Sequence, residues 1–149
     1  MKKVMFITLL ALISTNAIAQ KNEEKEDQKV NAPTVVIKAF QKDYPKVTKV
    51  NWVTEGNDFE AEFKLNGKET SANYDKTGKR VETELEIKKE QLPANALCYI
   101  KKYFSTYKVL EAFKVTDAKN AVSYEVEISK IGKSLDLIFD AKGNFLKKD

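Results

Sequence analysis

Few residues of this chain could support chemistry. Its 149 residues include no histidine and a single cysteine, Cys98. A Ser-His-Asp triad, a Cys-His dyad, a histidine-ligated metal site and an internal disulfide are therefore excluded. The sequence predicts a protein that is not an enzyme, with no catalytic residues, no metal ligands and no cofactor.

Four glutamates form the clearest polar pattern. Glu60 and Glu62 alternate with apolar residues in one predicted strand, and Glu125 and Glu127 do so in another. If both strands join one sheet, the four carboxylates share one face and could bind a basic partner. They could equally form a solvated face whose charges discourage aggregation. Glycosidase chemistry needs paired carboxylates in a cleft, which nothing in the sequence predicts, and no acidic calcium-binding loop is present.

Two single residues have alternative interpretations. Trp52 is the only tryptophan; it could be an exposed binding anchor or a large core residue, since the register of its strand is uncertain. We therefore include Trp52 with the four glutamates as candidate partner-binding residues. Cys98 lies beside an apolar helical stripe, which predicts a small, partly buried apolar residue, with a reactive or interchain thiol as the alternative.

The basic excess of the chain does not indicate nucleic-acid binding. There are 26 basic and 22 acidic residues, for a formal charge of +4, but Arg80 is the only arginine. Guanidinium groups dominate the recognition of guanine and phosphate, and the lysines are scattered among glutamates. Five glycines provide no phosphate-binding loop. We expect no nucleic-acid partner.

The first residues resemble an export sequence. Met1-Lys2-Lys3 is cationic, residues 4–13 are almost wholly apolar, and Ala17-Ile18-Ala19 fits a cleavage site. We predict a signal peptide over residues 1–19 and a periplasmic or secreted product without a membrane span. The polar, charged residues 20–31 are predicted to form a flexible tether. A single domain is expected over residues 32–149.

That domain contains an internal repeat. A shift of 65 residues places the segment 59–68 on 124–133, with the same alternation of apolar residues. In each copy a proline opens an amphipathic helix: Pro33 in the first and Pro93 in the second. The same shift aligns Tyr74-Asp75 with Phe139-Asp140, Gly78 with Gly143, and Val81 with Leu146.

The pattern predicts an α+β fold. Each copy has a helix followed by about four strands, and the copies span about residues 32–88 and 89–149. Asn66-Gly67 predicts a two-residue hairpin, because both turn positions favour positive φ. One copy alone would be marginally stable, so we expect the two copies to form one antiparallel sheet with both helices on one face.

The whole predicted domain, residues 32–146, resembles the PepSY-like, β-lactamase-inhibitor-protein-like family of small secreted bacterial proteins. The resemblance implies two helix-plus-sheet repeats in one curved sheet, whose open face grips a partner protein in the inhibitor relatives. Unlike the inhibitor, this chain has only one cysteine, and its hairpin tip at residues 65–68 is polar and basic. The residues that carry the resemblance are Ala39-Phe40, Tyr44-Pro45, Val50-Asn51-Trp52, the strand 59–63, Tyr74-Asp75, Gly78 and Leu92-Pro93.

These observations predict an exported, inhibitor-like binding module for an extracytoplasmic protein or peptide, which binds on the open face of the sheet. The alternative is a carrier that holds a small apolar ligand between helices and sheet, since 10% of the residues are aromatic. Self-association through an open sheet edge is a further possibility. The partner and the oligomeric state remain open.

Overall fold

A computed structural model describes residues 30–149 of the chain. The predicted signal peptide and residues 20–29 of the predicted tether lie outside the described residues. The fold is α+β, with two helices and one eight-stranded antiparallel sheet whose strands are ordered as in the sequence. The elements are α1 (Thr34–Asp43), β1 (Asn51–Glu55), β2 (Asp58–Leu65), β3 (Lys68–Tyr74), β4 (Arg80–Glu86), a 3₁₀ turn (Lys89–Gln91), α2 (Ala94–Tyr103), β5 (Lys108–Asp117), β6 (Val122–Lys130), β7 (Lys133–Asp140) and β8 (Phe145–Lys148).

Both helices begin directly after a proline. Pro33 and Pro93 are the N-cap residues, with φ of −56° and −55°, and their carbonyls accept the first helical hydrogen bonds. The first helix ends at Asp43, and Tyr44 is its C-cap, because the residue before Pro45 is disfavoured in helical conformation. The chain is already ordered before Ala32, since the backbone N–H of Val30 donates to the carbonyl of Trp52 at 3.0 Å.

Register places both helices on the same face of the sheet. Trp52, Ala61 and Ala72 lie opposite one another across β1, β2 and β3. Directly paired residues point to the same side, and side chains alternate along a strand. Following the pairs through β4 and β5 places Ala112 on the side of Ala72. Ala72 packs in one core with Phe40 of α1, and Ala112 packs in another with Ile100 of α2. The predicted single sheet with both helices on one face is confirmed.

Two packed cores fill the space between helices and sheet. Phe40 of α1 contacts Trp52 and Phe63, with ring centroids 5.4 and 5.1 Å apart. In the second core, Ile100 of α2 packs with Ile128 and other apolar residues of β5 to β7. The strands β4 and β5 pair directly and so join the two cores into one sheet.

The predicted turns are present. Asn66 and Gly67 have φ of 54° and 80°, which is the conformation that a two-residue hairpin between β2 and β3 requires. Gly78, at φ 83°, ends the turn between β3 and β4, where Asp75 Oδ1 accepts the backbone N–H groups of Thr77 and Lys79 at 2.8 and 3.1 Å. These turns fix the register that decides which side chains face away from the helices.

Candidate functional site

The face of the sheet opposite the helices is dominated by acidic side chains. They come from seven of the eight strands and are brought together by the pairing, not by closeness in sequence. We call this surface the carboxylate face. Its polar members are Glu55, Glu60, Glu62, Glu69, Ser71, Asn73, Glu82, Glu84, Glu86, Glu111, Glu125, Glu127 and Asp136.

All four predicted glutamates belong to this face. Glu60 and Glu62 lie opposite Asn73 and Ser71 of β3, and Glu125 and Glu127 lie on β6. Glu60 is only 4% exposed, whereas the other three are partly buried. The interpretation of a fully solvated face is therefore wrong for Glu60, because a charge that serves only solubility has no reason to leave water.

The carboxyl group of Glu84 lies at the centre of the face. It is 8% exposed, and burial together with the nearby charges of Glu125, Glu82, Glu60 and Glu55 raises its pKa to about 9. Removal from water penalises the ionised form, and each neighbouring carboxylate adds like-charge repulsion. Glu84 therefore carries its proton at neutral pH.

Raised pKa values extend to the second half of the sheet. Burial, followed by the charge of Asp136, raises the pKa of Glu125 to about 7. Burial and the charge of Glu127 also raise the pKa of Glu111. Such a concentration of perturbed carboxyl groups is costly for folding and is typical of functional surfaces.

Some of these carboxylates accept hydrogen bonds from amides on the same face. Asn51 Nδ2 donates to Glu62 Oε2 at 2.7 Å. Asn73 Nδ2 donates to Glu55 Oε2 at 2.8 Å and, at 3.3 Å, to Glu82 Oε1. These bonds hold carboxylates of β1, β2 and β4 in fixed positions around β3.

Two buried polar atoms at the same place have no hydrogen-bond partner within the part of the chain that the structure describes. They are Ser71 Oγ and Asn73 Oδ1, in residues that are 1% and 3% exposed. A buried acceptor without a donor costs about 1–3 kcal/mol.

Apolar side chains lie next to the carboxylates on this face. Val53 pairs with Glu60, Phe113 with Glu125, and Glu84 with Val115. These three apolar residues are buried, as is Ile138 of β7. Apolar and acidic side chains are therefore neighbours on this face, and the apolar ones are almost fully buried.

Trp52 does not belong to the carboxylate face. Its partner Ala61 lies on the helix side, and Trp52 is 9% exposed in the core around Phe40. The expectation that Trp52 and the glutamates could share a surface is therefore wrong, because alternation along β1 turns Trp52 inward and Val53 outward.

Cys98 is also placed differently from expectation. It lies on α2 and is exposed, whereas Ala96 and Ile100 of the same helix are buried. The prediction of a partly buried apolar residue is wrong, because Cys98 falls between the two buried positions on the solvent side of a helix with 3.6 residues per turn.

The candidate residues that the sequence offers do not include the central residues of the face. The alternation of residues 81–87 nevertheless indicates that Glu82, Glu84 and Glu86 share one side of their strand. Ser71 and Asn73 gave no comparable indication, since only the pairing of β3 with β2 and β4 places them among carboxylates.

Within residues 30–149, no group of three or more histidine, cysteine, aspartate or glutamate side chains is arranged to hold a metal ion. In the same stretch, no helix is long and apolar enough to cross a membrane.

Comparison with known proteins gives a family and a fold. Residues 57–147 match the model of the family described as "Putative beta-lactamase-inhibitor-like, PepSY-like". No curated protein matches the chain at a significant level. The description of the matching family names no enzymatic activity.

Solved structures from Bacteroides species share the fold. A chain from Bacteroides eggerthii, described as "putative periplasmic proteins", has a TM-score of 0.74 at 20% identity, covering 80% of this chain and 89% of that one. A DUF2874 family protein from Bacteroides uniformis has a TM-score of 0.72 at 20% identity, covering 79% and 88%. A BLIP-like protein from Bacteroides fragilis has a TM-score of 0.65 at 21% identity, covering 80% and 86%.

Proposed function

The chain belongs to the PepSY-like, beta-lactamase-inhibitor-like family, and we propose that it is an exported, non-enzymatic module that binds a protein or peptide partner on the carboxylate face. The observation that carries this proposal is the convergence of acidic side chains from seven of the eight strands on the face of the sheet opposite the helices. Such a concentration of one charge on one surface favours a partner of opposite charge.

Export is supported by two independent observations. The first residues have the cationic, apolar and small-residue regions of a signal peptide. The similar chain from Bacteroides eggerthii is described as periplasmic. We propose a periplasmic or secreted protein that acts after cleavage behind Ala19.

We also propose that the domain consists of two tandem repeats, over about residues 32–88 and 89–149. Several local features support this. Asp140 Oδ1 accepts the backbone N–H groups of Lys142 and Asn144 at 2.8 and 2.9 Å, as Asp75 does in the first turn. Gly78 and Gly143 have φ of 83° and 82°, and each lies against the start of a helix.

The carrier alternative has less support. The space between α1 and the sheet is filled by aromatic rings that contact one another, including Phe40, Tyr44 and Phe63 with centroid distances of 4.6 to 5.3 Å. Rings at this separation are in direct contact and leave no room for a ligand between them. The aromatic content is therefore explained by the core.

Peptide display tests the proposed function. The full chain is expressed, and the exported protein is purified and used to select peptides from a random library. We expect the selected peptides to lose affinity for the double variant Glu62→Lys/Glu127→Lys, whose side chains are only partly buried and tolerate replacement. The matched control is Glu90→Lys in the exposed 3₁₀ turn. Peptides that bind the double variant as well as the wild type would refute binding on this face.

A further inference from the structure

The outer edge of β8 is where the described part of the sheet ends. β8 is the last strand in the order and pairs with β7 alone among residues 30–149. Asp149 exchanges two backbone hydrogen bonds with Asp136 of β7, at 3.0 and 3.1 Å. Because bonded and non-bonded pairs alternate along an antiparallel ladder, the N–H and C=O groups of the preceding residue, Lys148, point away from β7. Lys148 is exposed, so these groups are open to another strand.

The first half of the domain shows how a strand in this position is covered. β4 and β8 each follow a turn in which an aspartate carbonyl accepts the N–H of a glycine. The pairing of each strand with the preceding one is interrupted by a bulge close to that turn. β4 is covered by β5, which pairs antiparallel with Glu82–Glu86. A strand added to β8 would take the position that β5 takes beside β4.

A row of aromatic rings runs from the core to the surface beside this edge. Phe145 of β8 is stacked on Tyr99 of α2, with centroids 4.5 Å apart and an angle of 8° between the planes. Tyr99 also contacts Tyr103, at 4.7 Å, and Tyr103 is 57% exposed. Leu146, the next residue of β8, is 58% exposed. Tyr103 and Leu146 therefore provide apolar surface that a partner can reach.

Packing of the helix does not explain the exposed tyrosine. The two helices are related by a shift of 60 residues, which places Tyr103 at the position of Asp43 in α1. Asp43 serves its own half of the domain, since its Oδ2 accepts a hydrogen bond from the hydroxyl of Tyr74 at 3.0 Å. Tyr103 instead leaves more than half of its surface in solvent, although exposed apolar area is unfavourable unless a partner covers it.

The charges beside this apolar surface are positive. Lys102 lies next to Tyr103, with its Nζ 5.0 Å from the ring centroid. Of the two lysines of β8, Lys147 is paired with Asp149 at 2.7 Å, and Lys148 is exposed. Lysine on an edge strand discourages aggregation. Large exposed apolar side chains do not serve that purpose and are typical of interaction sites, so the surface favours a negatively charged partner.

From these observations we propose that the outer edge of β8 is a second docking site, in addition to the carboxylate face, and that it takes an extended acidic segment of another protein. The segment pairs with β8 as an added antiparallel strand, with carboxylates near Lys102 and Lys148 and an apolar or aromatic side chain on Tyr103 and Leu146. A polypeptide fits better than an anionic sugar, because only a polypeptide supplies N–H and C=O groups at the spacing of a strand.

Synthetic peptides and the exported protein test this site. The probe is a short peptide that alternates glutamate with valine and carries one tyrosine, and its charge control has serine in place of glutamate. Isothermal titration calorimetry at low ionic strength should show binding of the glutamate peptide that is at least about tenfold tighter than that of the serine peptide. Two further versions carry N-methyl groups on the backbone of either the glutamates or the valines. A paired strand turns only one of these sets towards β8, so only one version should lose binding.

Variants at exposed positions locate the site. Lys148→Glu and Tyr103→Ser should each weaken the glutamate peptide by about tenfold or more, because they reverse a complementary charge and remove apolar contact area. The matched controls are Lys89→Glu in the 3₁₀ turn and Ile131→Ser in the hairpin between β6 and β7, where Ile131 is 91% exposed. Both controls should leave the affinity unchanged. Circular dichroism verifies that each variant folds, as expected for substitutions of exposed side chains.

Each part of the proposal has an outcome that overturns it. If the serine peptide binds as tightly as the glutamate peptide, the acidic class is wrong. If both N-methylated versions bind like the parent peptide, pairing with β8 is wrong. If Lys148→Glu and Tyr103→Ser leave binding intact, the location is wrong. If sedimentation of the free protein shows a dimer that Lys148→Glu dissociates, the occupant is a second copy of this chain.

The carboxylate face is tested separately. The double variant Glu62→Lys/Glu127→Lys should bind the glutamate peptide at least as tightly as the wild type does, and Lys148→Glu should retain the library-selected peptides that bind the carboxylate face. Loss of the glutamate peptide in the double variant, with binding retained in Lys148→Glu, would overturn the site at β8.

Discussion

Burial and, after it, the charge of Glu125 on β6 raise the pKa of Glu84 on β4, although strand β5 lies between the two residues. The two residues are 41 positions apart in sequence and belong to different halves of the domain. Their coupling shows that the carboxylate face is one electrostatic unit spanning the junction of β4 and β5. Several measurable consequences follow from this unit.

The first prediction concerns stability and pH. The pKa of Glu84 is about 9 in the folded protein against 4.5 for an ordinary glutamate. Because the folded state holds the proton more tightly, its contribution is full below about pH 4.5 and is lost as the pH rises towards 9. Glu84→Gln, which cannot ionise, should therefore stabilise the protein by at least about 1 kcal/mol at pH 8 and by less at pH 5. Urea unfolding at both pH values measures this, and equal effects at pH 5 and pH 8 would contradict the raised pKa of Glu84.

The second prediction concerns ligand binding and pH. Glu84 is surrounded by Glu55 on β1, Glu60 on β2, Glu82 on β4 and Glu125 on β6. A cationic ligand favours the ionised forms, so its affinity should rise with pH through the pKa of Glu125, about 7, and that of Glu84, about 9. An arginine–valine peptide keeps its own charge over this range.

Calorimetry of that peptide from pH 6 to pH 9 should show tighter binding and proton release at neutral pH. The variant Glu84→Gln should lose the upper part of the pH dependence and keep the lower part. Affinity that is constant over this range would contradict contact with these carboxyl groups.

The third prediction compares two glycines. Gly143 and Gly132 both have positive φ, of 82° and 71°, so alanine is strained at either position. A Cβ at Gly143 would also lie 2.8 Å from the backbone nitrogen of Ala96, whereas one at Gly132 would meet nothing within 4 Å. Gly143→Ala should therefore cost about 1–3 kcal/mol more than Gly132→Ala. Thermal unfolding compares them, and equal losses would mean that α2 does not pack closely on this turn.

The fourth prediction concerns Cys98. Because its side chain is exposed on α2, it should react with a thiol reagent in the folded protein as fast as in denaturant, within a few-fold. Cys98→Ser should change the free energy of unfolding by less than about 0.5 kcal/mol. Slow labelling that needs denaturant would show that the thiol is covered.

Local patterns predicted most of the fold. Proline at residues 33 and 93, the alternation of Phe59 to Leu65 and the Asn66-Gly67 turn each act over a few residues, so they can be read without the tertiary structure. The helices, the strand and the turn that these patterns predict are present in the structure, because local backbone preference and side-chain burial agree at those positions.

The site was harder to predict because it depends on pairing between strands. Glu60, Glu62, Glu125 and Glu127 could be assigned a common face by parity. Ser71 and Asn73 of β3 could not be recognised as members of this face from the sequence. Both look like ordinary polar residues until the pairing of β3 with β2 and β4 places them among carboxylates. Trp52 was misplaced as a candidate because the register of β1 depends on its pairing with β2.

The central claim is that a ligand binds on the carboxylate face beside β3. Nuclear magnetic resonance of the exported, isotope-labelled protein with a peptide selected from the random library tests this directly. We predict that the side-chain amide of Asn73 and the backbone amides of Ser71 and Glu84 shift on titration, while the buried indole of Trp52 does not. Shifts confined to the helices or the hairpin tips, with the β3 signals unmoved, would contradict the claim.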